Sequence, residues 1–182
     1  MIVAVAGRNG AGKGEVVKLL ETKGYLALSL SDVIRDVLVE KGHEPTRERM
    51  IEAGRALRAE GGAGVLGERL LAKMESGRDY AVDSVRHPAE VDALRAGGQR
   101  FTLFWVDADE SVRFERIRAR GRVGDPKSLE RLRSLESREL GSDDPAAQQL
   151  DAVQKICDGV LHNDRGIDAL SEALESALAA LG

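Results

Sequence analysis

The chain is poor in the residues that cross-link, stack or span membranes. It has a single cysteine, Cys157, so no internal disulfide can form, and a lone thiol in an apolar stretch reads as core filling, not as a nucleophile. Aromatic residues are only 3% of the chain, and Tyr25, Tyr80 and Trp105, the candidates for stacking a base, fall mostly within strand-like runs. No apolar run approaches the roughly 18 residues that a membrane span needs. Residues 1–6 lack the basic region of a signal peptide and read as a buried strand, which predicts a cytoplasmic protein. Basic residues are also in deficit: 27 Lys and Arg stand against 31 Asp and Glu, a formal charge of -4. Phosphate-backbone affinity needs a basic surface or stripe, so a general nucleic-acid binder is not expected. There are no internal repeats and no low-complexity tracts.

What remains is an ordinary globular composition of 42% apolar and 32% charged residues with 20 glycines, in a chain sized for one hydrophobic core. One domain spanning residues 1–182 is expected. Short apolar runs at 2–6, 25–30, 80–83, 101–107 and 159–162 alternate with helix-period segments at 12–23, 31–41, 46–60, 65–76, 88–96, 110–120, 128–139, 146–156 and 167–181. Such alternation predicts an α/β fold, a five-stranded parallel sheet between two helical layers. The near-continuous apolarity of the strands predicts burial on both faces. Glycines at 24, 42, 61–62 and 97–98 supply stop signals.

Residues 7–14 read Gly-Arg-Asn-Gly-Ala-Gly-Lys-Gly, after an apolar strand and at the start of an amphipathic helix. This is the spacing and the context of a Walker A loop, in which glycines let successive amide N–H groups turn inward and the lysine reaches the β and γ phosphates. ATP is therefore the expected ligand, held by Arg8, Asn9, Gly10, Ala11, Gly12, Lys13, Gly14 and Glu15, with Lys13 also catalytic. The position after the lysine is Gly14 and not the Ser or Thr that ligates Mg²⁺ in many P-loop NTPases. The metal, expected as Mg²⁺, then needs water or another carboxylate. Asp83, at the carboxyl end of the third strand, stands where α/β folds place ligands and is the candidate metal ligand and a catalytic candidate.

The loop resembles that of the nucleoside-monophosphate kinases related to adenylate kinase, which ends Gly-Lys-Gly followed by Thr, although Glu15 stands in the Thr position here. Residues 29–35, Ser-Leu-Ser-Asp-Val-Ile-Arg, resemble the segment of those kinases where a helix carries the arginine that holds the acceptor phosphate. Ser31 or Asp32 is expected to cap that helix, Asp32 is also a catalytic and substrate-binding candidate, and Arg35 is the first phosphate anchor. Residues 83–90, Asp-Ser-Val-Arg-His-Pro-Ala-Glu, are similar to the Asp-x-Arg-x-Pro-x-Glu type stretch of deoxynucleoside-monophosphate kinases. They are more similar still to a group of predicted nucleotide kinases common in archaea, whose loop also ends Gly-Lys-Gly-Glu. The resemblance covers nearly the whole chain. It implies a P-loop NTPase fold, helices over the acceptor at about 31–76, and a short helical lid at about 116–145.

Arg86 and Arg58 join Arg35 as acceptor ligands, with Arg55 sharing the helix face of Arg58. Arg113, Arg116, Arg118, Arg120 and Arg122 crowd one helix end with no acidic run beside them. Arginines on a closing lid stabilise charge on a transferring phosphoryl group, so Arg116 and Arg120 are assigned to ATP, Arg120 also to catalysis, and Arg122 to the acceptor. The polar stretches 121–126 and 141–145 read as the ends of a mobile flap. Asn163, after the last strand, matches the loop that wraps adenine in these kinases. His43, His87 and His162 are expected to be structural, because in-line transfer needs no histidine base.

The implied activity is transfer of the γ-phosphoryl group of ATP to a small phosphorylated acceptor, a ribo- or deoxynucleoside monophosphate or dephospho-CoA. The alternative is an acceptor-independent ATPase switch. The protein is expected as a monomer or homodimer, with no membrane and no nucleic-acid partner.

Overall fold

A computed structural model of the chain describes residues 1–122, 124–141 and 144–181. The order of elements is β1 (Ile2–Gly7), α1 (Lys13–Thr22), β2 (Leu26–Ser29), α2 (Leu30–Glu40), α3 (Arg47–Gly61), α4 (Val65–Leu71), β3 (Tyr80–Asp83), α5 (Pro88–Ala96), β4 (Phe101–Asp107), α6 (Glu110–Arg120), α7 (Leu129–Leu140), α8 (Leu150–Lys155), β5 (Gly159–His162) and α9 (Ile167–Ala179). The five strands pair in parallel in the order β2-β3-β1-β4-β5. A strand with period-two side chains serves two cores when both faces are apolar. Ile2, Ala4 and Ala6 of β1 meet Trp105 of β4 and the apolar faces of α2, α4, α5 and α8. Val3 and Val5 turn to the other side and pack with Val16 and Leu20 of α1 and Leu170 and Leu174 of α9. The α/β/α sandwich is thus the expected one.

Burial on both faces holds for β1 and β4 but not for β2 and β5, whose residues are mostly half-buried or exposed. These two are the edges of the sheet, covered by helices only in part. The helix expected over 65–76 stops at Leu71, because Lys73 and Met74 tighten onto the carbonyls of Leu70 and Leu71 and the Glu75 amide then bonds the Tyr80 hydroxyl, 2.7 Å away. The helix expected over 146–156 starts at Leu150, since the amides of Ala146 and Gln149 go to the Asp144 side chain and the Arg86 carbonyl. The cap of α2 is Ser29, whose hydroxyl accepts from the Ser31 amide at 3.3 Å, so Ser31 and Asp32 lie inside the first turn and cap nothing.

The segment 116–145, where a lid is expected, holds the end of α6, the turn closed by Arg120 and Asp125, and α7, which Ser128 caps. Val123, Ser142 and Asp143 of the expected flap lie outside the described residues. No helix among the described residues is long and apolar enough to cross a membrane.

Candidate active site

The loop between β1 and α1 is held from three sides. Gly7, in register with Val106 of β4, has φ 147°, and a Cβ there would lie 2.3 Å from the Val106 carbonyl oxygen. Gly12 caps α1 at φ 103°, with the Asn163 side-chain nitrogen 2.0 Å from the place of a Cβ. Both positions admit only glycine. The buried Asn163 amide donates to the Ala11 carbonyl at 2.9 Å, and Arg116 donates to the Asn163 carbonyl at 2.8 Å. Arg113 donates to the carbonyls of Ala108 and Asn9 and forms a buried ion pair with Glu136. Of the first-turn amides of α1, those of Glu15 and Val16 donate to the Gly12 carbonyl at 2.9 and 3.3 Å, which leaves those of Lys13 and Gly14, at the very N-terminus of the helix, to an anion. Lys13 folds back, its Nζ donating to the carbonyls of Gly7 at 2.8 Å and Arg8 at 3.0 Å. Burial lowers its ammonium to about 8 against the opposing pull of Asp83, with Arg86 and Arg120 lowering it and Glu139 raising it further.

Two cavities meet over this lysine. One, of about 630 Å³, is lined by Gly10, Gly12, Gly14, Glu15, Asp83, Arg116 and Asn163. The other, of about 450 Å³, runs between α2 and α3 over Leu30, Ile34, Met50 and Leu66, with Arg35, Arg47, Arg58 and Glu139 in its wall. Asn9, Lys13, Ser84, Arg86, Arg120 and Arg122 line both. Most of the residues singled out in the sequence are therefore brought together, on two sides of one centre. Arg8 and Ala11 line neither cavity and contribute carbonyls to the loop's bracing. Asp32 also lines neither: it is half-exposed and paired with Arg35 one turn on, whose guanidinium does reach the second cavity.

The loop after β3 is held in an unusual backbone. Ser84 has φ 66°, the one positive value at a non-glycine residue among those described, and its hydroxyl accepts from Ser29 at 3.1 Å. Such strain persists only where the surroundings over-determine it. The main constraint is Glu90, fully buried. Its Oε1 accepts from Arg58 Nε at 3.0 Å and Nη2 at 2.7 Å, while Oε2 accepts the amides of Arg86 at 2.8 Å and His87 at 3.1 Å. His87 caps α5 through Nδ1, completing a capping box with Glu90, which is the structural role expected of it. Arg58 thus differs from Arg55, which shares its helix face but lies exposed and paired with Asp144. Arg58 is buried and already paired. Arg86 reaches Gln148 at 3.0 Å and Glu139 at 3.3 Å, and Arg47 reaches the same Glu139 at 3.1 Å.

The arginine crowd on α6 has acidic partners after all. Arg113 meets Glu136, Arg118 meets Glu115, and Arg120 meets both carboxylate oxygens of Asp125, at 2.8 and 2.7 Å. Glu136 and Asp125 follow the crowd in sequence, beyond the helix that carries it, so they do not show as an offsetting run. Arg120 also donates to Asn9 Oδ1 at 3.1 Å, tying the end of α6 to the loop after β1.

Glu139, Arg47 and Asp125 escaped the sequence reading, and Glu90 entered it only as the end of the 83–90 stretch, without a role, although its capping-box spacing after His87 was a local signal. As to Mg²⁺, no group of three or more His, Cys, Asp or Glu residues that could hold a metal occurs among the described residues. Asp83 offers one hard oxygen on the larger cavity. That fits a metal taking its other ligands from phosphates and water, as Mg²⁺ commonly does.

Residues 3–139 match a protein family described as AAA domain. The chain is 36% identical over 144 residues to a UPF0200 protein of Hyperthermus butylicus, covering 78% of this chain and 76% of that one. It is 30% identical over 179 residues to a UPF0200 protein of Sulfurisphaera tokodaii, covering 97% and 95%. Among solved structures the fold is shared with TT1252 from Thermus thermophilus, at a TM-score of 0.62 and 22% identity over 100% of this chain and 98% of that one. It is also shared with a gluconokinase from Sinorhizobium meliloti 1021, at 0.58 and 18% over 98% and 91%, and with a shikimate kinase from Acinetobacter baumannii, at 0.55 and 16% over 99% and 92%. By its matched domain and by these relatives the chain belongs to the UPF0200 family of AAA-domain proteins.

Proposed function

We propose that the chain is an ATP-dependent phosphotransferase that passes the γ-phosphoryl group to a small phosphorylated acceptor, a ribo- or deoxynucleoside monophosphate being the first choice. The observation that carries this reading is the pair of cavities meeting over Lys13 and sharing Arg86, Arg120 and Arg122. A donor held by a loop and an acceptor in a separate compartment, with cations at the junction, is the arrangement that in-line transfer asks for. An ATPase without an acceptor has no use for the second compartment.

In this reading Lys13 leaves the carbonyls of Gly7 and Arg8 and turns its ammonium to the β and γ phosphates, while the amides of Lys13 and Gly14 hold the remaining oxygens. Asn163 and Arg116 keep the loop curled and border the nucleotide. Arg120 and Arg122 bring positive charge to the junction, where the transferring group's charge is greatest. Asp83 is the residue that would hold Mg²⁺, which when bound would neutralise further phosphate charge. Arg86, with Arg35 at the cavity wall, orients the acceptor phosphate. The apolar floor of Leu30, Ile34, Met50 and Leu66 takes a base or another apolar body without needing an aromatic stack. Arg58 acts through Glu90 to fix the Arg86 loop.

The test is ADP release from Mg-ATP, alone and with each of a panel of nucleoside and deoxynucleoside monophosphates, dephospho-CoA, gluconate and shikimate, repeated with Lys13→Ala. One phosphorylated acceptor raising turnover by orders of magnitude, lost in Lys13→Ala, bears out the proposal. Stimulation by gluconate or shikimate alone overturns the acceptor class. Equal turnover with every acceptor overturns the kinase reading in favour of an ATPase switch.

A further inference from the structure

Seven cationic side chains line the acceptor cavity. Arg35, Arg58 and Arg120 have acids of their own in Asp32, Glu90 and Asp125. Lys13, Arg47, Arg86 and Arg122 share this space with one further carboxylate, Glu139. It comes from the last turn of α7, far in sequence from both its partners, and its two oxygens are divided between Arg47 at 3.1 Å and Arg86 at 3.3 Å. Its side chain is only 13% exposed, while the two arginines are about one-third exposed and open to the cavity.

A carboxylate gripped by two guanidinium groups from separate elements, beside the phosphate-loop lysine, occupies the position an incoming anion would seek. We propose that Arg47 and Arg86 form the seat for the acceptor's phosphate, and that Glu139 is the resident occupant which that phosphate must displace. Glu139 is then a specificity-determining residue of the acceptor site, and Arg47 a substrate ligand. A monoanionic carboxylate is exchanged for a dianionic phosphate with a gain in charge-assisted bonding, whereas a neutral hydroxyl compound cannot replace it and leaves the seat filled. Displacement also detaches the end of α7 from α3 and from the Arg86 loop, so acceptor entry and lid position are linked. The assignment rests on the proposed phosphorylated acceptor, but its test does not use transfer.

The probe is inorganic phosphate, titrated calorimetrically at pH 7.5 without nucleotide into the wild-type chain, Glu139→Gln, and Arg47→Ala combined with Glu139→Gln. An occupant that holds the seat most of the time lowers the apparent affinity by the vacant fraction. Glu139→Gln, of the same shape, is expected to bind phosphate about tenfold tighter, and the added Arg47→Ala to abolish that gain. No gain in Glu139→Gln overturns the proposal. So does a gain that survives Arg47→Ala, since the phosphate is then on the Lys13 loop. Should Glu139→Gln fail to fold, as read from the fluorescence of buried Trp105, Arg47→Gln alone reads the seat: at least a fivefold loss of phosphate affinity supports it and an unchanged affinity overturns it. A chain that transfers to no acceptor yet shows the tenfold gain refutes the proposed function and keeps the seat. The converse refutes only the seat.

Discussion

Replacing Glu90 by alanine strikes the point on which the loop after β3 and one wall of the smaller cavity are assembled. The carboxylate is fully buried, and it satisfies a guanidinium that is itself only 5% exposed together with the amides of Arg86 and His87. Removing one partner of a buried ion pair leaves the other charge uncompensated, at a cost of about 3–5 kcal/mol. The two orphaned amides add to this where water cannot reach them. Against a total stability of roughly 5–15 kcal/mol, the loss leaves a marginal protein, with Tm lower by on the order of 10 °C. Trp105, the only tryptophan and fully buried, reports the transition in urea by its fluorescence. The midpoint should fall with little change of slope, because the surface exposed on unfolding is nearly the same. Arg58→Met combined with Glu90→Leu should recover part of the loss, since apolar replacement of a whole buried pair is often close to neutral. The recovery will be incomplete, because the amides of Arg86 and His87 stay unsatisfied. A Glu90→Ala variant within about 1 kcal/mol of wild type, or a double variant no better than the single, would refute the reasoning.

Three further outcomes follow from the loop. Burial lowers Lys13 to about 8, and a bound triphosphate favours its charged form. ATP affinity measured calorimetrically should therefore stay level from pH 7 to 8 and fall about tenfold per unit above that, with proton uptake on binding. Over the same range the nucleotide-free chain should gain stability as pH rises from about 8 towards the ordinary lysine value, because the unfolded chain then holds a proton that the folded one has released. An affinity flat to pH 10 contradicts the burial of this amine. Gly12→Ala sets a Cβ 2.0 Å from the Asn163 amide at φ 103°. Equilibrium binding should show at least a tenfold loss of ATP affinity, and a variant binding like wild type would mean that Asn163 does not brace the loop.

The layered architecture is written locally, and the site only partly so. Apolar side chains on both faces of residues 2–6, the glycines at 24, 42, 62 and 97 and the loop before Lys13 are signals carried by neighbouring residues, and each appears where it points. Which strands form the edges is not local. It depends on crossovers, so the apolar runs of β2 and β5 read like those of β1 and β4 although they end half-exposed. Ser29, Ser31 and Asp32 are all competent caps of α2, so the expectation of Ser31 or Asp32 gives way to Ser29, which only the pairing of β2 through that residue decides. Glu139 lies in a charged helix that reads as a solvated face. Nothing nearby reveals a carboxylate whose partners, Arg47 and Arg86, come from other elements.

The sheet order also governs how the chain must fold. β1 lies at the centre, and its neighbours are β3 and β4, so Ile2 finds its partners only in Tyr80 and Phe101. A nascent chain therefore carries its most apolar strand unpaired through the synthesis of α1 to α4, and the phosphate loop attached to it has no rigid base until β4 arrives. Non-local pairing of this kind slows folding and lengthens the exposure of sticky surface. Truncated chains ending before β4 should have neither sheet nor nucleotide site, and ligand binding becomes a report on completion of the central strands.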